Sequence, residues 1–169
     1  MRFSIRVSTA GVALLAAVLA TAPAEAGPRL RLGRVQVAGD GSAAVPVILV
    51  ARRSDRIAAL NFTLRYDPSR LQALSQQAVV GTAVERARAE LASVTDEAGG
   101  TTRVIVLPEF SPTFPVLRGG RVATVSFRLR GPVRGSRERW VRKSVAIEEI
   151  IFGDNQGREI PSSPRPRRD

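Results

Sequence analysis

Leu60, Phe62, Leu64 and Tyr66 alternate with Asn61, Thr63 and Arg65, a period of two that predicts a strand with one buried face. Pro68 fixes its own backbone and pushes Asp67 towards an extended conformation, so the strand stops at Tyr66. Leu71 and Leu74, three apart, predict a turn of helix folding back over the core. The same alternation returns in RVATVSFRLR (121–130), with Ala123, Val125, Phe127 and Leu129 inward. AAVPVILV (43–50) sets Val45, Val47 and Leu49 on one face, and its Pro46 predicts an edge position or a break in the strand ladder. RLRLGRVQV (29–37) alternates on both sides of Gly33, which shifts the phase and predicts a bulge or kink.

Further along, TTRVIVL (101–107) reads as a β-rich run buried on both faces or nearly so, and SVAIEEIIF (144–152) as a last long strand. Residues 82–94 fit either a short helix or a loop leading into a strand near Leu91. Turns are expected at AGDGS (38–42), DEAGG (96–100) and GDNQG (153–157), and loops at ARRSDR (51–56) and PEFSPTFP (108–115). About nine short strands with no sustained amphipathic helix predict an all-β protein, an antiparallel β-sandwich of two facing sheets.

The N-terminus changes the domain picture. Arg2 and Arg6 precede the apolar run GVALLAAVLATA (11–22), and Ala24 and Ala26 supply small residues in the Ala-x-Ala arrangement. This is the pattern of an export signal, residues 1–26, with no cysteine after it as a lipoprotein signal requires. The run is too short and Ala-rich for a stable span, so no membrane segment is expected after cleavage. Residues 27–161 form the expected domain and 162–169 a disordered basic tail. The expected location is secreted or periplasmic. The chain has no Cys, so its core holds by packing alone.

Net charge is +11 over the whole chain and +10 without residues 1–26, which hold Arg2, Arg6 and Glu25. The arginines are scattered, with clusters at RGPVRGSRERWVRK (130–143) and PRPRRD (164–169). Such a surface attracts polyanions at long range. None of the helical, zinc or aromatic signatures of a nucleic-acid reader is present, so no nucleic-acid partner is expected. With no His and no Cys, histidine- and cysteine-based catalysis and the usual zinc sites are excluded. Glu109, Glu148 and Glu149 leave only a remote hydrolase reading through paired carboxylates, and adjacent glutamates in a strand are expected on opposite faces. Asp154, Asn155 and Glu159 offer hard oxygens in a loop too short for an EF-hand, so a plain turn is expected. Trp140 fits either a sugar-stacking platform or the core. Phe110 and Phe114 fit either a partner-binding loop or a plug at the sandwich end. No cofactor and no metal are expected.

Three stretches in this order resemble the cohesin family: ALNFTLRYDPSRLQAL, GGRVATVSFRLR and IEEIIFGDNQGREIP, with AAVPVILV similar to the opening Val-Pro-Val strand. The likeness covers most of residues 29–161. It implies a nine-stranded, jelly-roll-like sandwich akin to some carbohydrate-binding modules, with Tyr66 closing the core at the sandwich edge. It further implies a non-enzymatic binding module with a protein partner, of which a dockerin is one kind. In cellulosomal cohesins a polar residue just before the Phe of this strand faces the dockerin, and Asn61 matches it. Thr63 and Arg65 share its outward side. The alternative is a binder of carbohydrate or anionic polysaccharide through the basic surface.

Overall fold

The computed structural model describes residues 27–74, 78–109, 115–133 and 135–162. The export signal at 1–26, the tail beyond Ser162, and Phe110 and Phe114 lie outside them. The strands are β1 (Arg29–Leu32), β2 (Gln36–Val37), β3 (Ser42–Val50), β4 (Ala59–Tyr66), β5 (Leu71–Ala73), β6 (Val79–Val80), β7 (Glu90–Asp96), β8 (Thr101–Leu107), β9 (Gly120–Leu129), β10 (Val145–Gly153) and β11 (Glu159–Ile160). Two short α-helices interrupt them among the described residues, α1 (Thr82–Arg86) and α2 (Arg137–Lys143). The first sheet runs β1-β3-β9-β5, with β2 added on β3 and β6 on β9; the second runs β11-β10-β4-β8-β7. Every pairing is antiparallel. Eleven strands stand among the described residues against the nine expected, and three of them, β2, β6 and β11, have only two residues each. No helix among the described residues is long and apolar enough to cross a membrane.

The alternating stripes meet between the sheets. Val45, Val47 and Leu49 of β3 and Val125 and Phe127 of β9 face Leu60, Phe62, Leu64 and Tyr66 of β4, all buried. Burying one such side chain contributes about 1.5–3 kcal/mol, which lets a cysteine-free domain hold together. Pro46 stands in an interior strand, paired through Thr124 to β9. The ladder breaks on its other side: residues 33–35 stand opposite Val45 and Pro46, one residue more than the partner offers. Gly33 absorbs the surplus, its N–H donating to the Pro46 carbonyl at 2.7 Å. A second bulge lies in β9, where Val122 is the extra residue between the partners of Val47 and Ile48. The N–H of Gly81, at the start of α1, donates to the Val122 carbonyl, and a Cβ on Gly81 would overlap the Arg121 carbonyl oxygen. Only glycine fits there.

The Tyr66-Asp67-Pro68 stop carries the chain from the second sheet to the first. Asp67 Oδ1 accepts from the Ser69 N–H and hydroxyl, and the Asp67 carbonyl accepts from the Leu71 N–H. Three residues after Pro68 the chain is already in β5. The expected helical turn at Leu71 and Leu74 is therefore corrected: Leu71 is buried and strand-paired to Leu129, whereas Leu74 is exposed. The crossing leaves no room for a helix, because pairing with β9 begins at once. The basic stretch at 130–143 ends in α2, capped by the Ser136 hydroxyl. Residues 82–94 contain both readings, the helix α1 and then β7.

Three turn aspartates favour the fold in their ionised form. Asp40 is held below the usual carboxylate range by the Ser42 N–H, Asp67 by the Ser69 hydroxyl and Asp154 by the Arg158 N–H. Their stabilisation is present above about pH 4 and lost as the pH falls through the lowered folded values. Tyr66 bounds the other side. Burial raises its phenol pKa, and its hydroxyl has no hydrogen-bond partner among the described residues. That contribution is complete below about pH 10 and disappears as the pH rises through the folded value. Urea midpoints are expected to change little between pH 5 and 9 and to fall on either side. In Tyr66→Phe the alkaline fall shrinks and stability at pH 7 stays level or rises by up to about 1 kcal/mol. A loss above 2 kcal/mol would show that the hydroxyl is bonded after all.

Candidate functional site

The outer face of the second sheet is built by β10, β4, β8 and β7, whose strands lie about 4.8 Å apart. Register decides which side chains stand together. One row across the face is Ile151, Asn61, Ile105 and Ala92; the next is Glu148, Thr63, Arg103 and Val94; the third is Ala146, Arg65, Thr101 and Asp96. Asn61, Thr63 and Arg65 thus stand on one side of the central strand, where their alternation with the core stripe requires. They differ in access. Arg65 is exposed and Asn61 half-buried, while Thr63 is only 7 % exposed.

A bulge in β10 accounts for that difference. Glu149 and Ile150 stand opposite the single residue Phe62, and Glu149 takes a φ of +50°. The extra residue brings both glutamates over the same face. Glu149 accepts the Thr63 hydroxyl at 2.7 Å, and Glu148 accepts Arg65 Nε at 2.8 Å. The expectation of opposite faces is corrected, since alternation fails where two residues oppose one. The Glu148 hydrogen bond raises the Arg65 pKa further, so the guanidinium stays charged throughout.

The centre of the face is apolar. Ile151 is 47 % exposed, Leu107 52 % and Val94 73 %, three of the seven exposed large aliphatic side chains among the described residues. Ile105 lies between Asn61 and Ala92. Between the two isoleucines, the Asn61 Oδ1 is shut off from solvent with no hydrogen-bond partner among the described residues. An acceptor in that state is destabilising by about 1–3 kcal/mol. The sequence missed Ile105, Leu107, Val94 and Ile151. TTRVIVL, expected to be buried on nearly both faces, buries only Thr102, Val104 and Val106; Ile105 and Leu107 point outward. The signal was present, because an apolar residue on the solvent side of a two-layer sandwich has nothing within its own domain to cover it.

The other candidates do not assemble into a site. Trp140 is half-buried against the core, and the Arg70 guanidinium lies 5.6 Å from its ring centre. Asp154 spends both carboxylate oxygens on its own turn, on the N–H groups of Gln156 and Arg158 and on Arg158 Nε. Glu109 is exposed beyond β8, on a different segment from Glu148 and Glu149.

No family model matches the chain, and no curated protein matches it. Solved structures do. The sixth cohesin of scaffoldin B from Acetivibrio cellulolyticus, in complex with a Cel5 dockerin mutant, aligns with 81 % of this chain and 93 % of its own at 22 % identity and a TM-score of 0.59. This is the cohesin fold. A type I cohesin of Clostridium thermocellum, OlpA with the dockerin Doc918, matches over 81 % and 93 % at 18 % identity and a TM-score of 0.64. A type II cohesin from the Acetivibrio cellulolyticus cellulosome matches over 81 % and 88 % at 14 % identity and 0.55. The cohesin fold thus spans both types, with few identities to this chain in either.

Proposed function

We propose that this chain is a non-enzymatic, secreted or periplasmic protein-binding module that docks its partner on the outer face of β10-β4-β8-β7. The observation that carries the reading is the row Ile151–Asn61–Ile105, an apolar centre enclosing an acceptor without a partner. A docking partner covers the isoleucines, and it donates to Asn61 Oδ1 once that side chain turns outward from between them. Around this centre stand the Arg65–Glu148 pair and Arg103, a charged rim of the kind found around interface cores. The fold agrees, since cohesins that share it have been solved in complex with dockerins; a dockerin-type module is the partner to test first. Carbohydrate binding has less support, because the ring of Trp140 carries Arg70.

The test is capture of dockerin modules and of exported proteins by the immobilised domain across a salt series. Exposed charges are screened beyond about 8–10 Å at physiological ionic strength, so contact through an apolar centre persists at high salt, unlike polyanion binding. Asn61→Ala with Arg65→Ala is expected to weaken capture by about tenfold or more with no loss of thermal stability. Unchanged capture by this double variant means the face is wrong.

A further inference from the structure

A second surface lies at the seam where the two sheets meet. On one side runs β1, paired only to β3; on the other run residues 145–148 of β10, paired only to β4 among the described residues. β11 reaches no further than Phe152 and Gly153. Both strands thus leave one edge unpaired among the described residues, and α2 packs against β10 and β2 beside them. Two contiguous hollows of about 550 and 480 Å³ occupy the seam, sharing Arg31, Leu32, Arg139 and Arg142. Arg34 lines the first and Lys143 the second. None of these five cations forms an ion pair among the described residues. The one carboxylate in the lining among the described residues, Glu138, accepts a hydrogen bond from the Ser136 hydroxyl.

We propose that this seam is a separate docking site that takes an acidic polypeptide segment in extended form, as an added strand along β1 or β10. An unpaired strand edge presents alternating N–H and C=O groups, which another peptide backbone matches along its length. The guanidiniums receive carboxylates in paired hydrogen bonds. The floor is aliphatic, with Leu30, Val145 and Ile147 below the rim, and among the described residues it has no aromatic ring on which a sugar would stack. The same charges select the occupant. A second copy of this chain brings Arg29 and Arg31 to the same edge and is repelled, so the cations that prevent self-pairing admit an acidic strand. Four residues on each edge give about 13 Å of ladder, enough for a short segment.

The probe is a labelled octapeptide of alternating Glu and Val, titrated into the full chain by fluorescence anisotropy and followed by amide hydrogen exchange. Expected are binding that weakens with salt, slowed exchange within 29–32 or 145–148, and at least about tenfold weaker binding in Arg31→Glu with Arg139→Glu. The same octapeptide N-methylated at alternate residues keeps its charge but loses the ladder, and is expected not to bind. No binding of the parent peptide overturns the proposal. So do equal binding of the methylated peptide, unchanged amide exchange, or an unchanged affinity in the double variant of confirmed fold. Polygalacturonate or vesicles containing phosphatidylglycerol binding as tightly, with the same dependence on Arg31 and Arg139, would hand the seam to that class instead. The Asn61 and Arg65 substitutions leave this binding unaffected, so the two sites fail separately.

Discussion

Ile105→Asp together with Ile151→Asp abolishes partner capture, at least about a hundredfold in affinity, while the domain stays folded. Both side chains are on the outward face, and Ile151 is already 47 % exposed, so neither change opens a cavity between the sheets. The loss of strand propensity amounts to about 1 kcal/mol or less per site. The effect on docking is far larger. A carboxylate at either position has to shed its water when a partner covers the face, a penalty of several kcal/mol unless a cation meets it. Arg103, one row away, is a cross-strand neighbour of Thr63 and Val94, not of either isoleucine. Titration calorimetry against a captured partner gives the affinity, and circular dichroism the fold. Full-strength capture by a folded double variant would remove this face from consideration.

Phe127→Ala lowers stability by about 3–5 kcal/mol and the melting temperature by about 10–15 °C. Phe127 is wholly buried in β9, and its cross-strand neighbours are Ala43 on one side and Ala73 on the other. Its ring fills the space that two alanines leave and meets Tyr66 at 5.0 Å between centroids. Those neighbours have no side-chain length with which to close the hole, so the cavity persists. Against a total stability of about 5–15 kcal/mol for a domain, the variant approaches the folding threshold. Phe127→Leu retains most of the volume and is expected to lose about 1.5 kcal/mol or less. Urea denaturation of the three proteins provides the check; equal stability of wild type and Phe127→Ala would place the ring outside the core.

The stripes of β3, β4 and β9 were legible because each element is long enough for period two to repeat and faces water on one side. Gly33 announced its bulge through a change of phase. Short elements gave no such signal. In β5 only Leu71, Gln72 and Ala73 are paired, and a Leu71–Leu74 spacing suits a helix as well as a chain entering and leaving a three-residue strand. The α2 stretch has a single buried residue, Val141, so its apolar face was too thin to read. For the candidate face, β4 alone placed Asn61, Thr63 and Arg65. Ile105 and Ile151 could not be set beside Asn61, because cross-strand register arises from pairing between segments tens of residues apart. The bulge at Glu149 has no local signature of its own.

The position of β4 has a consequence for how the domain comes into being. Its two partners, β8 and β10, both follow it in the chain, and the second ends only at Gly153. A nascent polypeptide emerging from its N-terminus holds β4 unpaired until β8 is made, and with β8 alone beside it until Gly153 is free. Loop closure on that scale precedes any reward from contact and makes assembly slow. Until β10 arrives, the second sheet keeps an open edge along β4.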